Sequence, residues 1–264
     1  MRSIQEGTTM LLVGSALKGY AIAASDGRIG TVSDFLFDDR TWKVRWLVVD
    51  TGTWLSGRMV LIHPSAIGQA DYERRELPVA LTKEKIKDSP DLMQDQPVSQ
   101  QMEYHLYDYY GWDPYWGGAS YFGGGAIAEP LSSPAFAGMA RREVDEMLAR
   151  SHEGDPHLRS LAAITGYNVH ASDGGIGHVA DFIVDDASWG IRYLIIDTRN
   201  WWPGAHVLLS PYAVQEISWS RHQVQLDVNR ERVRSSPPWN PMEALDEAYE
   251  KRLHGHYDWP GYGW

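Results

Sequence analysis

A chain of 264 residues with 43% apolar side chains is long enough for two ordinary domains and apolar enough to pack them. Its formal charge of −11 and its lack of a basic strip exclude general binding to phosphate backbones, and the absence of cysteine removes disulfides, thiolate nucleophiles and cysteine metal sites together. No run approaches the roughly 18 apolar residues of a membrane span and the N-terminal stretch carries no cleavage signal, so the chain is read as cytoplasmic, with no membrane span and no nucleic-acid partner.

Early in the chain, ASDGRIGTVSDFLFDD runs from Ala24 to Asp39, and ASDGGIGHVADFIVDD repeats it from Ala171 to Asp186. The same offset of 147 residues joins Asp26 to Asp173, Arg45 to Arg192, Asp50 to Asp197, Trp54 to Trp201 and Tyr110 to Tyr257 without a gap. So long a period does not fit a solenoid; it describes one domain written twice.

Each copy reads as β-rich. Ser25-Asp26-Gly27 and Ser172-Asp173-Gly174 have hairpin-turn chemistry, because glycine accepts positive φ and aspartate bonds back to the chain. A strand is predicted over 29–37, with the next turn at DDRTW or DDASW. VRWLVVD and IRYLIID are apolar on both faces, as in a doubly covered strand. RMVLIHP and HVLLSP, then ELPVAL and QVQLDV, complete five or six short strands, the pattern of a small barrel or sandwich. TKEKIKDSP and NRERVRSSP predict short helices closed by proline, and further helices are placed at about 99–110 and 241–253. The predicted boundaries are repeat 1 over 1–95, a helix and aromatic tail over 96–116, a Gly/Pro/Ser linker over 117–138, a helix over 139–155, repeat 2 over 156–240, and a helix and aromatic tail over 241–264.

With the turn, the R-LV/I-DT strand, the TWLSG or NWWPG loop and V-L---P-A in order, each copy resembles a PRC-barrel domain, over about 14–81 and 161–228. That family takes its name from the cytoplasmic domain of the photosynthetic reaction centre H subunit and includes the C-terminal domain of the ribosome-maturation factor RimM. The YDYYGW ending is similar to that of a bacterial subgroup of unassigned function. The resemblance implies a mainly β fold of two small PRC-type β-barrels in tandem, each followed by short helices. It also implies a scaffold or docking role, with no catalytic residues carried by the domain as such.

The Asp-rich turns fail as an EF-hand loop: counted from Asp26, the third, fifth and twelfth positions are Arg28, Gly30 and Phe37, none of them a calcium ligand of the required kind. The turn G-I-G leads into a strand and not a helix, so it is no dinucleotide fingerprint. Asp38-Asp39 and Asp185-Asp186 are read as turn-capping, not as a divalent-ion site, and His254-Gly255-His256 as part of a tail, not a zinc site. No metal or cofactor is called, and no nucleophile elbow, catalytic triad or P-loop stands in the chain, which is expected not to be an enzyme.

Arg45 and Arg192 fall inside the most apolar strand, where a guanidinium must be paired. Asp34 or Asp50 is the expected partner in the first copy, and Asp181 or Asp197 in the second; Asp26 and Asp173 are turn candidates. Trp54, Leu55, Trp201 and Trp202 crowd a loop between turns, and large aromatics there are read either as contacts within the chain or between chains, or as a surface for a separate partner. The copies are expected to pair about a local twofold axis. The leading reading is a non-catalytic scaffold or adaptor acting through protein contacts or self-association, homo-oligomerisation included. Its rival is a redox-associated module holding a small, quinone-like ligand.

Overall fold

The computed structural model describes residues 10–89, 103, 106, 107, 109–112, 157–198, 206–240 and 245–262. The protein is mainly β, with two sheets and short helices. In chain order the first part has β1 (Leu11–Val13), α1 (Gly14–Leu17), β2 (Ala21–Ala24), β3 (Gly27–Asp38), β4 (Lys43–Asp50), β5 (Met59–Ile62), β6 (Glu76–Pro78) and α2 (Lys83–Lys87). The second has β7 (Leu158–Ser160), α3 (Leu161–Ile164), β8 (Asn168–Ala171), β9 (Gly174–Asp185), β10 (Ile191–Asp197), β11 (His206–Leu209), β12 (Val214–Ser218), β13 (Gln223–Leu226), α4 (Arg230–Arg234) and α5 (Glu247–Tyr257). Bounds of corresponding elements repeat at the offset of 147, as in β3 and β9.

One sheet runs β5-β4-β3-β2-β6 and the other β11-β10-β9-β8-β13-β12. Each centres on a 12-residue strand, β3 or β9, whose inward side chains are bulky and apolar. Phe35, Phe37, Trp46 and Leu47 are fully buried in the first sheet, as are Val179, Val184, Tyr193 and Leu194 in the second.

The two glycines of the repeated turn have separate duties. Gly27 and Gly174 hold φ of +135° and +142°, which a side chain disfavours. Gly30 and Gly177 allow the long strand to press against its neighbour: a Cβ added to Gly30 would stand 2.1 Å from the Asp50 carbonyl oxygen, and one on Gly177 2.0 Å from that of Asp197. The turn aspartates reach further than the hairpin. Lys83 N–H donates to Asp26 Oδ1 (2.8 Å) and Arg230 N–H to Asp173 Oδ1 (2.7 Å), so each hairpin caps the helix that closes its own repeat. Asp26→Ala or Asp173→Ala is expected to cost about 1 kcal/mol, the usual worth of such a cap, read as a lower urea midpoint for that repeat.

The strands predicted at 29–37 and in the HVLLSP and QVQLDV segments are present, whereas only Glu76–Pro78 of ELPVAL is a strand. The C-terminal helix begins later than expected, at Glu247, because Asp246 caps it by accepting from Tyr249 N–H at 2.7 Å. His254 and His256 lie within this helix and not in a tail, and His254 is buried. Of the helix expected at 99–110, Glu103, Leu106, Tyr107, Tyr109 and Tyr110 are helical; the linker at 117–138 and the helix at 139–155 lie outside the described residues.

Candidate functional site

Three-residue strands join the two halves. β1, near the start of the first repeat, pairs antiparallel with β9 of the second, Leu11 opposite Asp185. β7, near the start of the second repeat, pairs with β3 of the first, Leu158 opposite Asp38. These are the same contact at the offset of 147, given once in each direction. Between them the chain crosses itself at Lys43 and Gly190, an isolated bridge that the offset maps onto itself. Val44 N–H donates to the Trp189 carbonyl (2.8 Å) and Ile191 N–H to that of Trp42 (2.7 Å), and both tryptophans hold a left-handed φ of 55°. A local twofold axis therefore passes through this bridge, and the contact is isologous. Aromatic rings fill the space beside it: Phe35 and Trp189 lie 6.3 Å apart, Phe37 and Phe182 6.1 Å.

Aspartates of the repeated motif fasten this seam. Asp34 accepts from Ala162 N–H (3.1 Å) and from the Ser160 hydroxyl, and Asp181 from Ser15 N–H (3.2 Å), so each caps a short helix of the opposite half. Asp39 receives Arg159 Nε (2.5 Å) and lies 2.9 Å from His157 Nδ1, while Asp186 accepts from Met10 N–H (2.8 Å) and the Tyr72 hydroxyl. Asp50 caps its own loop through Gly52 N–H (2.8 Å), and Asp197 lies 3.9 Å from His178 Nε2.

The ion pairs of buried Arg45 and half-buried Arg192 run elsewhere than expected. Arg45 pairs with Asp38 Oδ2 (3.3 Å) and with Glu103, in place of Asp34 or Asp50; Arg192 pairs with Asp185 (2.7 Å), in place of Asp181 or Asp197. Asp38 and Asp185 suit this role because the turn presents them. Each accepts two turn N–H groups on Oδ1, from Arg40 and Thr41 or from Ala187 and Ser188, leaving Oδ2 for the guanidinium. Burial alone would raise the Asp185 carboxyl, but the Ser188 N–H, the Arg192 guanidinium and the Ala187 N–H together carry it below the usual carboxylate range. Glu103 also accepts from Trp46 Nε1 (2.5 Å), so one buried carboxylate ties the following helical segment to the sheet.

Trp54 and Leu55 stand on a 3-10 turn, Gly52–Leu55, and both are half-buried. Trp54 packs against the core and the Lys83 ammonium lies 4.9 Å above its ring. Trp201 and Trp202 lie outside the described residues. Of the residues singled out in the sequence, Arg45 lines a groove at the seam of about 830 Å³, whose other walls include Leu12, Leu17, Lys43, His63, Ile67 and Trp189. Burial and the neighbouring Arg45 charge push His63 down to about 4, so it is neutral at physiological pH.

Residues 14–86 match the PRC-barrel domain. The matched PRC-barrel segment runs from the start of α1 to α2, and β1 lies just before it. An uncharacterised protein of Deinococcus radiodurans is 34% identical over 82 residues, which are 31% of this chain and 29% of that protein. The chain thus spans less than a third of that relative's length. In the PRC-barrel segment the motif aspartates serve turn, helix cap, seam and ion pair. Among the described residues no helix is long and apolar enough to cross a membrane.

Proposed function

We propose that the chain is a non-catalytic scaffold of two PRC-barrel domains, residues 156–240 forming the second, and that it acts in the cytoplasm through contact with another protein or with further copies of itself. The reciprocal strand exchange carries this reading: each half supplies the strand that extends the other's sheet, which fixes two equivalent outer surfaces in one orientation. The motif's acidic side chains support it too, since Asp26, Asp34, Asp38 and Asp39 are each engaged in a structural bond. The half-buried Trp54–Leu55 turn and its counterpart loop at Trp201 and Trp202 are the proposed contact surface. Affinity capture from lysate with the wild-type chain and with a folded Trp54→Ala, Trp201→Ala, Trp202→Ala variant tests this. A protein retained by the first and lost by the second is the expected result; identical retention would assign the tryptophans to packing within the chain.

The groove favours a second reading, a small aromatic ligand of quinone type held at the seam. Its walls combine apolar Leu12, Leu17 and Ile67 with the neutral imidazole of His63, which would serve as a hydrogen-bonding group. A saturable quench of tryptophan fluorescence by a water-soluble benzoquinone, weakened in His63→Ala, would favour it; no saturable quench would remove it.

A further inference from the structure

The second repeat replaces a fixed charge clamp with groups that titrate. On α5, Glu250 and His254 are one turn apart and face Tyr193 of β10, which occupies the position of Trp46 in the first repeat. Tyr193 Oη is 2.8 Å from Glu250 Oε1 and 2.9 Å from His254 Nε2, and His254 Nδ1 is 2.6 Å from the Pro260 carbonyl oxygen. A carbonyl oxygen has no proton to give, so Nδ1 carries one. Two close contacts then remain to be bridged, and the phenol has a single proton for them. Whichever contact it serves, the other needs a proton from the Glu250 carboxyl or from His254 Nε2. Without it, two lone pairs would face each other in a site where Tyr193 is fully buried and His254 is 3% exposed.

We propose that Glu250, Tyr193 and His254 together hold one proton more at pH 7.5 than the same side chains hold in water, and that this shared proton fastens the C-terminal helix to the second repeat. The repeat-1 counterpart needs no such proton, because Arg45 and the Trp46 indole N–H only donate and Glu103 accepts from both as a carboxylate. Around the cluster, Arg192 opposes an added proton, but its Nε and Nη2 are bound to Asp185 at 3.0 and 2.7 Å and its guanidinium carbon lies 4.2 Å from the Tyr262 ring centre. Asp185 from β9 and Glu247 from the helix itself favour protonation of Glu250. Tyr262 and Tyr212 pack their rings against His254, and the Tyr262 hydroxyl donates to the Arg192 carbonyl. Burial, the largest influence on both groups, raises Glu250 and lowers His254, and so favours the carboxyl over the imidazole as the proton's holder.

The sign follows from proton counting. Between roughly pH 4.5 and 6.5 the free side chains also hold one such proton, on histidine, and docking is insensitive to pH. Above about pH 6.5 the free chains lose it while the docked cluster keeps it. The docked-to-undocked ratio then falls about tenfold per pH unit until the cluster's own raised value is passed.

The test uses the full chain labelled with 13Cδ-glutamate and 15N-histidine, with Glu250 and His254 resonances assigned by comparison with Glu250→Gln and, should that variant fail to fold, Tyr193→Phe. At pH 7.5 a protonated Glu250 carboxyl or a His254 imidazolium is expected. An ionised Glu250 beside a neutral His254 would overturn the proposal. Hydrogen exchange in α5, corrected for intrinsic rates, is the second readout: protection should drop between pH 6.5 and 8.5, and equal protection at both would show that the proton does not fasten the helix.

Discussion

Glu103→Ala is expected to destabilise the first repeat by about 3 kcal/mol, because it takes one of two carboxylates from a buried guanidinium and the acceptor from a buried indole N–H at once. Arg45 is 3% exposed and its partners Asp38 and Glu103 are fully buried, so no water can take the carboxylate's place without opening the helix contact. Removing the charge pair together is a different matter. In Arg45→Met, Glu103→Leu the remaining Asp38 keeps its two N–H donors and the apolar pair restores packing, so most of the loss should return. Urea midpoints of the two variants, set against wild type, check this; equal losses would mean that packing of the helix, not charge, is the controlling term.

Gly177→Ala should be comparably severe, roughly 3 kcal/mol or more. Two costs coincide there: φ of +144° and a Cβ 2.0 Å from the Asp197 carbonyl oxygen, a backbone atom of a central strand that has nowhere to move. Gly19→Ala is the natural control. It shares a positive φ, +77°, but an added Cβ meets nothing within 4 Å, and its cost should stay near 1 kcal/mol. Thermal melts of the two variants separate strain from collision. A Gly177→Ala protein as stable as Gly19→Ala would show that β9 and β10 slide apart to admit the methyl group.

Much of this fold is legible in the sequence. The duplicated turn named its own hairpins, since glycine and aspartate act there through local chemistry, and β-branched runs marked β4 and β10. The exchange of β1 and β7 was not legible, for LLV and LRS are too short to show alternation, and their partners lie over a hundred residues away. An arginine in so apolar a run needs a counter-charge, but Asp38 reads as a turn residue and Glu103 sits 58 residues downstream of Arg45 on another element. The offset itself holds a clue: Glu103 and Glu250 are a matched pair of acidic residues on segments that both lead into aromatic endings. At the seam, the groove draws motif residues from both halves, Arg45 from one and Asp186 and Trp189 from the other, so it exists only once a contact that no single motif encodes has formed.

Strand exchange also imposes an order on synthesis. The stretch Leu36–Asp38 is translated early, but its partner, Leu158–Ser160, leaves the ribosome about 120 residues later, on the order of ten seconds at usual elongation rates. During that interval the first sheet presents an unpaired edge flanked by Phe35 and Phe37, the kind of surface that recruits strands from other nascent chains. The early aspartates, Asp34 and Asp39, put two negative charges on that edge while it waits, and on completion the same carboxylates take up Ser160, Ala162 and Arg159. The residues that close the seam are thus also the ones that guard it while it is open.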